Sequence, residues 1–273
     1  MILLDKIKNR LKKIYFKSRY KKPFLFSSKF GFKMVIYPTS IIDENFYWGD
    51  FETDNLVFFR NLVKEEMVIF DIGANVGLYS LTAAAKMKDS IKIYAFEPAE
   101  IPLNRLNDNI ELNNFKNISV HNVGVSDREG TVEFNICEDD AYNSIGSSPM
   151  QEISKKVEIN VTSINSFCQA NNIDRIDIIK IDTEGAELLI LRGGGEIFES
   201  ENAPILFCEY NRLTASGYDY TLRDYEEQLK AYNYKIFEIK EGNLIGFDPA
   251  VSDNSNILCL KDNHIQSLRK HIN

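Results

Sequence analysis

The chain has 273 residues, 44% hydrophobic and 12% aromatic, and a formal net charge of −8. That is enough apolar material for one sizeable core and too ordered a composition for wholesale disorder; the apolar runs are strand-sized, well short of the roughly 20 residues that span a bilayer. Residues 1–22 carry nine Lys/Arg against Asp5 alone, so a +8 head precedes a −16 body, and a body of that sign repels phosphates and argues against a nucleic-acid partner.

In the basic head, Leu4, Ile7, Leu11 and Ile14 recur at helical spacing over residues 2–17. Three partners are open for that stripe: the body or a twin subunit, the anionic inner face of a membrane, or a nucleic acid, in falling order of expectation. Residues 23–66 read as a covering region, with short β-like pieces from residue 30, a turn-rich stretch at Phe46–Glu52, and a helical start at Leu56, Phe59 and Val63. From Met67 a strand–helix rhythm takes over, and 67–273 reads as one α/β domain. Its strands are Met67–Asp71, Ile91–Phe96, Ile118–Val125, Ile176–Asp182, Ile205–Tyr210, Tyr234–Ile239 and Asn256–Leu260. Its helices carry Leu78 to Ala85, Leu103 to Ile110, Gly185–Leu191 and Leu222–Tyr232. An insertion at about 130–162 alternates in period two and encloses a polar loop, Glu138–Ser154. No secretory signal develops at the N-terminus, so a cytoplasmic location is expected.

Cys137, Cys168, Cys208 and Cys259 are scattered without a CxxC pair, and three histidines are too few and too spread for a zinc site. His121 lies inside a strand and reads as a hydrogen-bonded structural residue.

The chemistry sits at strand ends. Val68–Asp71 is a buried strand closing in an acid, followed by Gly73-Ala74-Asn75-Val76-Gly77 and a helix. A dinucleotide fingerprint needs a glycine where Asn75 stands, which disfavours NAD and an oxidoreductase. An acid beside open amides suits a ligand bearing an ammonium and a carboxylate. Glu97 in Phe96-Glu97-Pro98 ends the next strand, placed to accept hydrogen bonds from two ribose hydroxyls. Ser126 and Asp127 follow the third strand, where an adenine edge or a plain turn would fit. Lys180 and Asp182 share a strand face in Lys180-Ile-Asp-Thr-Glu184-Gly-Ala-Glu187, and Glu209 and Asn211 end the neighbouring strand. Buried charges need partners, so either a reaction site or an internal ion-pair network is expected there.

Together these pieces, with Phe51-Glu52, Asn109 and Asn113, resemble the FkbM-type methyltransferase family from about Gly49 to Asn211. The resemblance implies a Rossmann-like class I fold with a mostly parallel seven-stranded sheet flanked by helices. It implies S-adenosylmethionine-dependent O-methylation of a hydroxyl on a sugar, glycan or natural product. It assigns cofactor contacts to Glu52, Asp71, Gly73, Ala74, Asn75, Gly77, Glu97, Ser126 and Asp127. Asp182 is the first choice for base or substrate clamp, with Glu184 and Glu209 next. A metal is not expected; Asp182, Glu209 and Asn211 form the optional ligand set, similar to that of catechol O-methyltransferase-like enzymes. The rival function is a non-catalytic cofactor-binding or membrane-associated assembly protein on the same fold.

Overall fold

In the computed structural model, residues 2–137, 142–146, 152–252 and 254–268 are described. The N-terminal region holds α1 (Ile2–Arg19), an antiparallel ribbon of β1 (Phe24–Ser27) and β2 (Lys33–Ile36), then α2 (Ile41–Trp48) and α3 (Thr53–Leu62). The alternating core begins with β3 (Val68–Ile72), α4 (Leu78–Met87), β4 (Lys92–Phe96), α5 (Glu100–Asn113) and β5 (Ile118–His121). A side sheet follows from β6 (Gly124–Val125), β7 (Gly130–Cys137) and β8 (Ile153–Thr162). The core resumes with α6 (Ile164–Asn171), β9 (Ile178–Ile181), α7 (Glu187–Gly193), α8 (Gly195–Glu199), β10 (Ile205–Asn211), α9 (Arg212–Ala215) and α10 (Leu222–Ala231). It closes with β11 (Lys235–Lys240), β12 (Asn243–Gly246), β13 (Asn254–Leu260) and α11 (Asp262–Leu268).

The main sheet runs β12-β11-β13-β10-β9-β3-β4-β5. Strands β10, β9, β3, β4 and β5 are mutually parallel, and β13 is antiparallel to both β10 and β11. The order reverses between β3 and β9, the switch point where a doubly wound Rossmann-like sheet opens a crevice at its carboxyl edge. Both faces are covered. Ile69, Ile178, Phe207 and Leu258 belong to one core, and Phe70, Ile72, Ile179, Ile181, Leu206 and Cys208 to the other. Double coverage explains why these strands read as continuous apolar runs. All four cysteines are buried and free. Among the described residues, no helix is long and apolar enough to cross a membrane.

Several expectations need correction. The sheet has eight strands rather than seven, because Glu241 and Gly242, both at positive φ, turn β11 back as the hairpin strand β12. Ile118–Val125 is two strands in two different sheets. Phe46–Trp48 are helical rather than turn-like. Ser40 caps α2 by accepting from the Asp43 amide, and Gly49 ends the helix in the left-handed conformation. Helix α6, capped by Ser163, was not anticipated. The polar loop falls largely outside the described residues; within it, Ser144 bridges to Asn135.

The covering region is fastened to the domain by polar side chains. Asn113 Nδ2 donates to the Lys33 carbonyl (2.6 Å) and its Oδ1 accepts from the Lys33 amide (2.7 Å), continuing the edge of β2 as a strand would. Asn109 spans from the Val35 amide (3.3 Å) to the Val76 carbonyl (3.1 Å). Arg105 holds buried Asp43 of α2 at 2.5 Å. These ties place α2 over the carboxyl edge of the sheet.

Candidate active site

A cavity of about 280 Å³ opens at that edge. Its floor is the turn after β3. The Gly73 and Ala74 amides donate to the Phe96 carbonyl (3.1 and 3.0 Å), and the Asn75 amide donates to Glu97 Oε2 (2.8 Å). Gly73, at φ +71°, passes so close to the Asp182 main chain that a Cβ there would overlap the Asp182 carbonyl oxygen. Glycine is required by both space and conformation. Glu97 Oε1 also accepts from the Ala99 amide (2.9 Å), which fixes its carboxylate on the wall at the tip of β4.

The second wall is acidic. Lys180 Nζ donates to the Gly73 carbonyl (2.9 Å) and lies 3.2 Å from Asp182 Oδ2, 3.9 Å from Asp71 Oδ1 and 5.4 Å from the centre of the Tyr79 ring. Burial alone would discharge this lysine, but Asp182, Asp71 and Glu52 reverse the balance and raise its pKa. Tyr79 donates to Glu52 Oε2 (2.5 Å), and Asn256 from β13 also hydrogen-bonds Glu52. Asp182, Glu184 and Glu209 each bring one carboxylate oxygen within 4.8 Å of the others. Three lining residues other than glycine, Glu52, Asn75 and Glu184, hold positive φ, which is strain of the kind that collects at functional sites.

One lysine cannot neutralise this many carboxylates. Burial first, then Asp182 and Glu187, push the Glu184 carboxyl up to about 9. Burial, then Glu184 and Asp182, raise Glu209 well above the carboxylate range. Both shifts favour the neutral carboxyl, while Asp182 is paired with Lys180. Glu187 acts differently: its Oε1 accepts from the Thr183 amide (3.0 Å), the Thr183 hydroxyl (2.9 Å) and the Gly185 amide (3.2 Å), moulding the turn that presents Asp182 and Glu184.

A stability consequence follows. Glu184 is ordinarily at 4.5 and stands at about 9 in the fold, so between those values the folded state holds more protons than the unfolded one. Stability therefore declines as pH rises through that window. The ligand-free protein should show a melting temperature that falls from about pH 5 to about pH 9, and Glu184→Gln should flatten the fall. Calorimetric scans across pH check both.

Among the expected cofactor residues, Glu52, Gly73, Ala74, Asn75 and Glu97 line the cavity, as do Asp182, Glu184 and Glu209. Asp71, Gly77, Ser126, Asp127 and Asn211 do not. Asp71 is 1% exposed behind the floor, where its Oδ2 accepts from the Ser80 amide (3.0 Å) and hydroxyl (2.6 Å), anchoring the start of α4. Gly77 makes room for the Leu106 side chain of α5. Ser126 is buried beyond the rim, which Val123, Gly124 and Val125 supply instead. Asn211 donates to Glu209 Oε1 (3.0 Å) and caps α9 through the Leu213 amide (3.0 Å), and Glu184 brings a further carboxylate to the oxygens of Asp182 and Glu209. That trio offers the hard oxygen donors that Mg²⁺ takes. His121 is held by rings, stacked on Tyr94 and Phe96 with Phe167 edge-on, and its Nε2 has no hydrogen-bond partner.

Ile41, Ile42 and Asn45 of the covering region and Tyr142, Asn143 and Ile145 of the polar loop line the cavity, and so do Tyr79 and Asn256, which were not anticipated. The one available signal was the helical row of α4, which placed Tyr79 beside the turn.

The Methyltransferase FkbM domain matches residues 71–236. Methyltransferase sdnD of Sordaria araneosa is 27% identical over 193 residues, 60% of this chain and 74% of its own length. Hexuronic acid methyltransferase AglP of Haloferax volcanii is 22% identical over 157 residues, 57% and 61% of the two chains. 2-O-methyltransferase NoeI of Sinorhizobium fredii is 23% identical over 177 residues, 58% and 71% of the two chains. With the family match spanning more than half its residues, this chain belongs to the FkbM-domain methyltransferases.

Proposed function

We propose that this protein is an S-adenosylmethionine-dependent O-methyltransferase whose acceptor is a hydroxyl on a sugar, glycan or natural product. The observation that carries the reading is the acidic chamber at the carboxyl edge of the sheet, where Glu52, Glu97, Asp182, Glu184 and Glu209 face one cavity with Lys180 as their cation. A lining of that sign fits a ligand with a sulfonium and an ammonium, and it disfavours phosphorylated acceptors. The names of AglP and NoeI, which carry a hexuronic acid and 2-O-methylation, support a sugar hydroxyl.

The cofactor, when bound, supplies a methyl group already activated on sulfur. The residues of the chain do the rest. Glu97, fixed by the Asn75 and Ala99 amides, is the acceptor for ribose hydroxyls. Gly73, Ala74 and Asn75 form the floor against which a ligand would lie, and Glu52 stands at the end where a ligand ammonium would be held. Asp182 accepts the hydroxyl proton as the oxygen attacks, and Lys180 stabilises its carboxylate before that transfer. Glu184 and Glu209, whose carboxyls are both raised toward the neutral form, flank Asp182 and hydrogen-bond the acceptor into place. Positioning and proton removal are the two tasks left to the protein.

Titration calorimetry with S-adenosylmethionine tests the cofactor half of this reading. Wild type should bind, and Glu97→Ala should bind about 10- to 100-fold more weakly through loss of charge-assisted hydrogen bonds. Incubation with methyl-labelled cofactor and a glycan panel, read by mass spectrometry, tests the acceptor half; label on nitrogen or carbon rather than oxygen would overturn it.

A further inference from the structure

Helix α1 has two unlike sides. Phe16 is fully buried, with ring centroids 5.3 Å from Tyr20, 6.2 Å from Phe24 and 5.2 Å from Tyr47, and Lys12 Nζ lies 2.6 Å from Asp50. At about 100° per residue, Lys12, Phe16 and Tyr20 form one row, and that row is docked. Leu11 and Ile14 fall on the far side of the helix and are 60% and 56% exposed; Tyr15, between the two sides, is 54% exposed. Leu11 and Ile14, the described part of the stripe expected to pack, are thus turned away from the body; Leu4 and Ile7 continue the same helical spacing in the sequence alone. Arg10, Lys13, Lys17, Arg19, Lys21 and Lys22 surround it, all exposed, and no acid occurs between residues 6 and 42.

We propose that this outer face of α1 docks the protein onto a lipid surface rich in anionic headgroups. An apolar row flanked by cations is what such an interface solvates, the row entering the acyl boundary and the lysines meeting the headgroup charge. A second copy of the chain fits poorly. The other exposed large apolar residues, Leu25, Val57, Ile101, Leu213 and Val251, are single and lie on different segments, and pairing two such helices would oppose two +8 segments. A nucleic acid would leave Leu11 and Ile14 in water and meet a −16 body. The docking helix also rests on α2, through Phe16 against Tyr47 and Trp48, while Ile41, Ile42 and Asn45 of the same helix line the cavity. Lipid surface and active site thus share one support.

The test uses the full chain and sedimentation with vesicles of phosphatidylcholine alone or mixed with phosphatidylglycerol. Binding is expected only to the mixed vesicles and should weaken with salt. The Leu11→Glu/Ile14→Glu variant should lose about tenfold in partitioning while its melting temperature and cofactor binding stay at wild-type values. Lys13→Gln/Lys17→Gln should lose a smaller factor in the same direction. Equal partitioning of wild type and the glutamate variant would overturn the proposal. So would absence of binding to mixed vesicles, including a result in which the variant alters oligomeric mass or nucleic-acid retention instead.

Discussion

Asp182→Asn is expected to lower kcat/KM for methyl transfer by about 10²- to 10⁴-fold, the range that a positioned general base supplies. The substitution keeps the shape of the side chain and leaves an oxygen that can still accept from Lys180, which lies 3.2 Å from Asp182 Oδ2. What disappears is the site that receives the acceptor's proton. Cofactor affinity, measured by calorimetry, should change by no more than a few fold, since the floor turn and Glu97 are untouched. Glu184→Gln and Glu209→Gln offer the contrast. Burial and neighbouring acids raise both carboxyls toward the neutral form, so a neutral amide of the same shape is the conservative replacement at each. Their losses should stay within about tenfold. Full turnover in Asp182→Asn together with a collapse in Glu209→Gln would move the base to β10 and overturn the assignment.

Gly73→Ala is expected to cost about 2–5 kcal/mol of stability and to abolish cofactor binding in whatever protein still folds. Two costs add. A side chain at φ +71° occupies the left-handed region, worth about 1–2 kcal/mol, and the new methyl overlaps the Asp182 carbonyl, an overpacking cost of about 1–3 kcal/mol. Relief requires the tips of β3 and β9 to separate, and that motion breaks the bond from the Asp182 amide to the Ile72 carbonyl (3.1 Å). Gly77→Ala supplies the control. It too sits at positive φ, but its methyl meets the end of the Leu106 side chain, which can rotate away. Thermal unfolding of the two variants should rank Gly73→Ala as clearly the worse; the reverse order would show that the two strand tips yield more readily than the α4–α5 contact.

The strands that build the crevice were legible because a doubly covered sheet forces continuous apolar runs, and an acid ending such a run, as at Asp182, stands out. The neighbouring turn was equally plain, since Gly73 and Asn75 interrupt a strand–helix pattern in a way few residues do. Which acids face the cavity was not legible. Asp71 lies inside β3 opposite Ala95 and is turned under the floor to bind Ser80, whereas Glu97 follows the last residue of β4 and sits on the wall. The two differ by two register positions, which apolar runs alone do not reveal. Asn256 was beyond reach for another reason: it comes to the cavity only because β13 pairs with β10, Asn256 opposite Glu209, and that pairing is a property of topology. The region from 30 to 62 was hard to read because its apolar residues serve a four-residue strand, held by Asn109 and Asn113, and helices of ten residues or fewer, of which α2 is held by Arg105 from the same distant helix. The N-terminal stripe was seen, but periodicity marks an apolar row without saying what meets it, and here Phe16 took the inward side.

The position of β13 also governs the order in which the protein can assemble. It is made after β11 yet inserts between β10 and β11, so β11 and its hairpin strand have no place on the sheet until Asn254–Leu260 has emerged from the ribosome. During synthesis, β10, buried along nearly its whole length in the finished fold, waits with an open edge. A long-range pairing that arrives last is slow to form and leaves a sticky intermediate behind it. The strand that brings Asn256 to the chemistry is therefore also the latch that ends the vulnerable phase of folding.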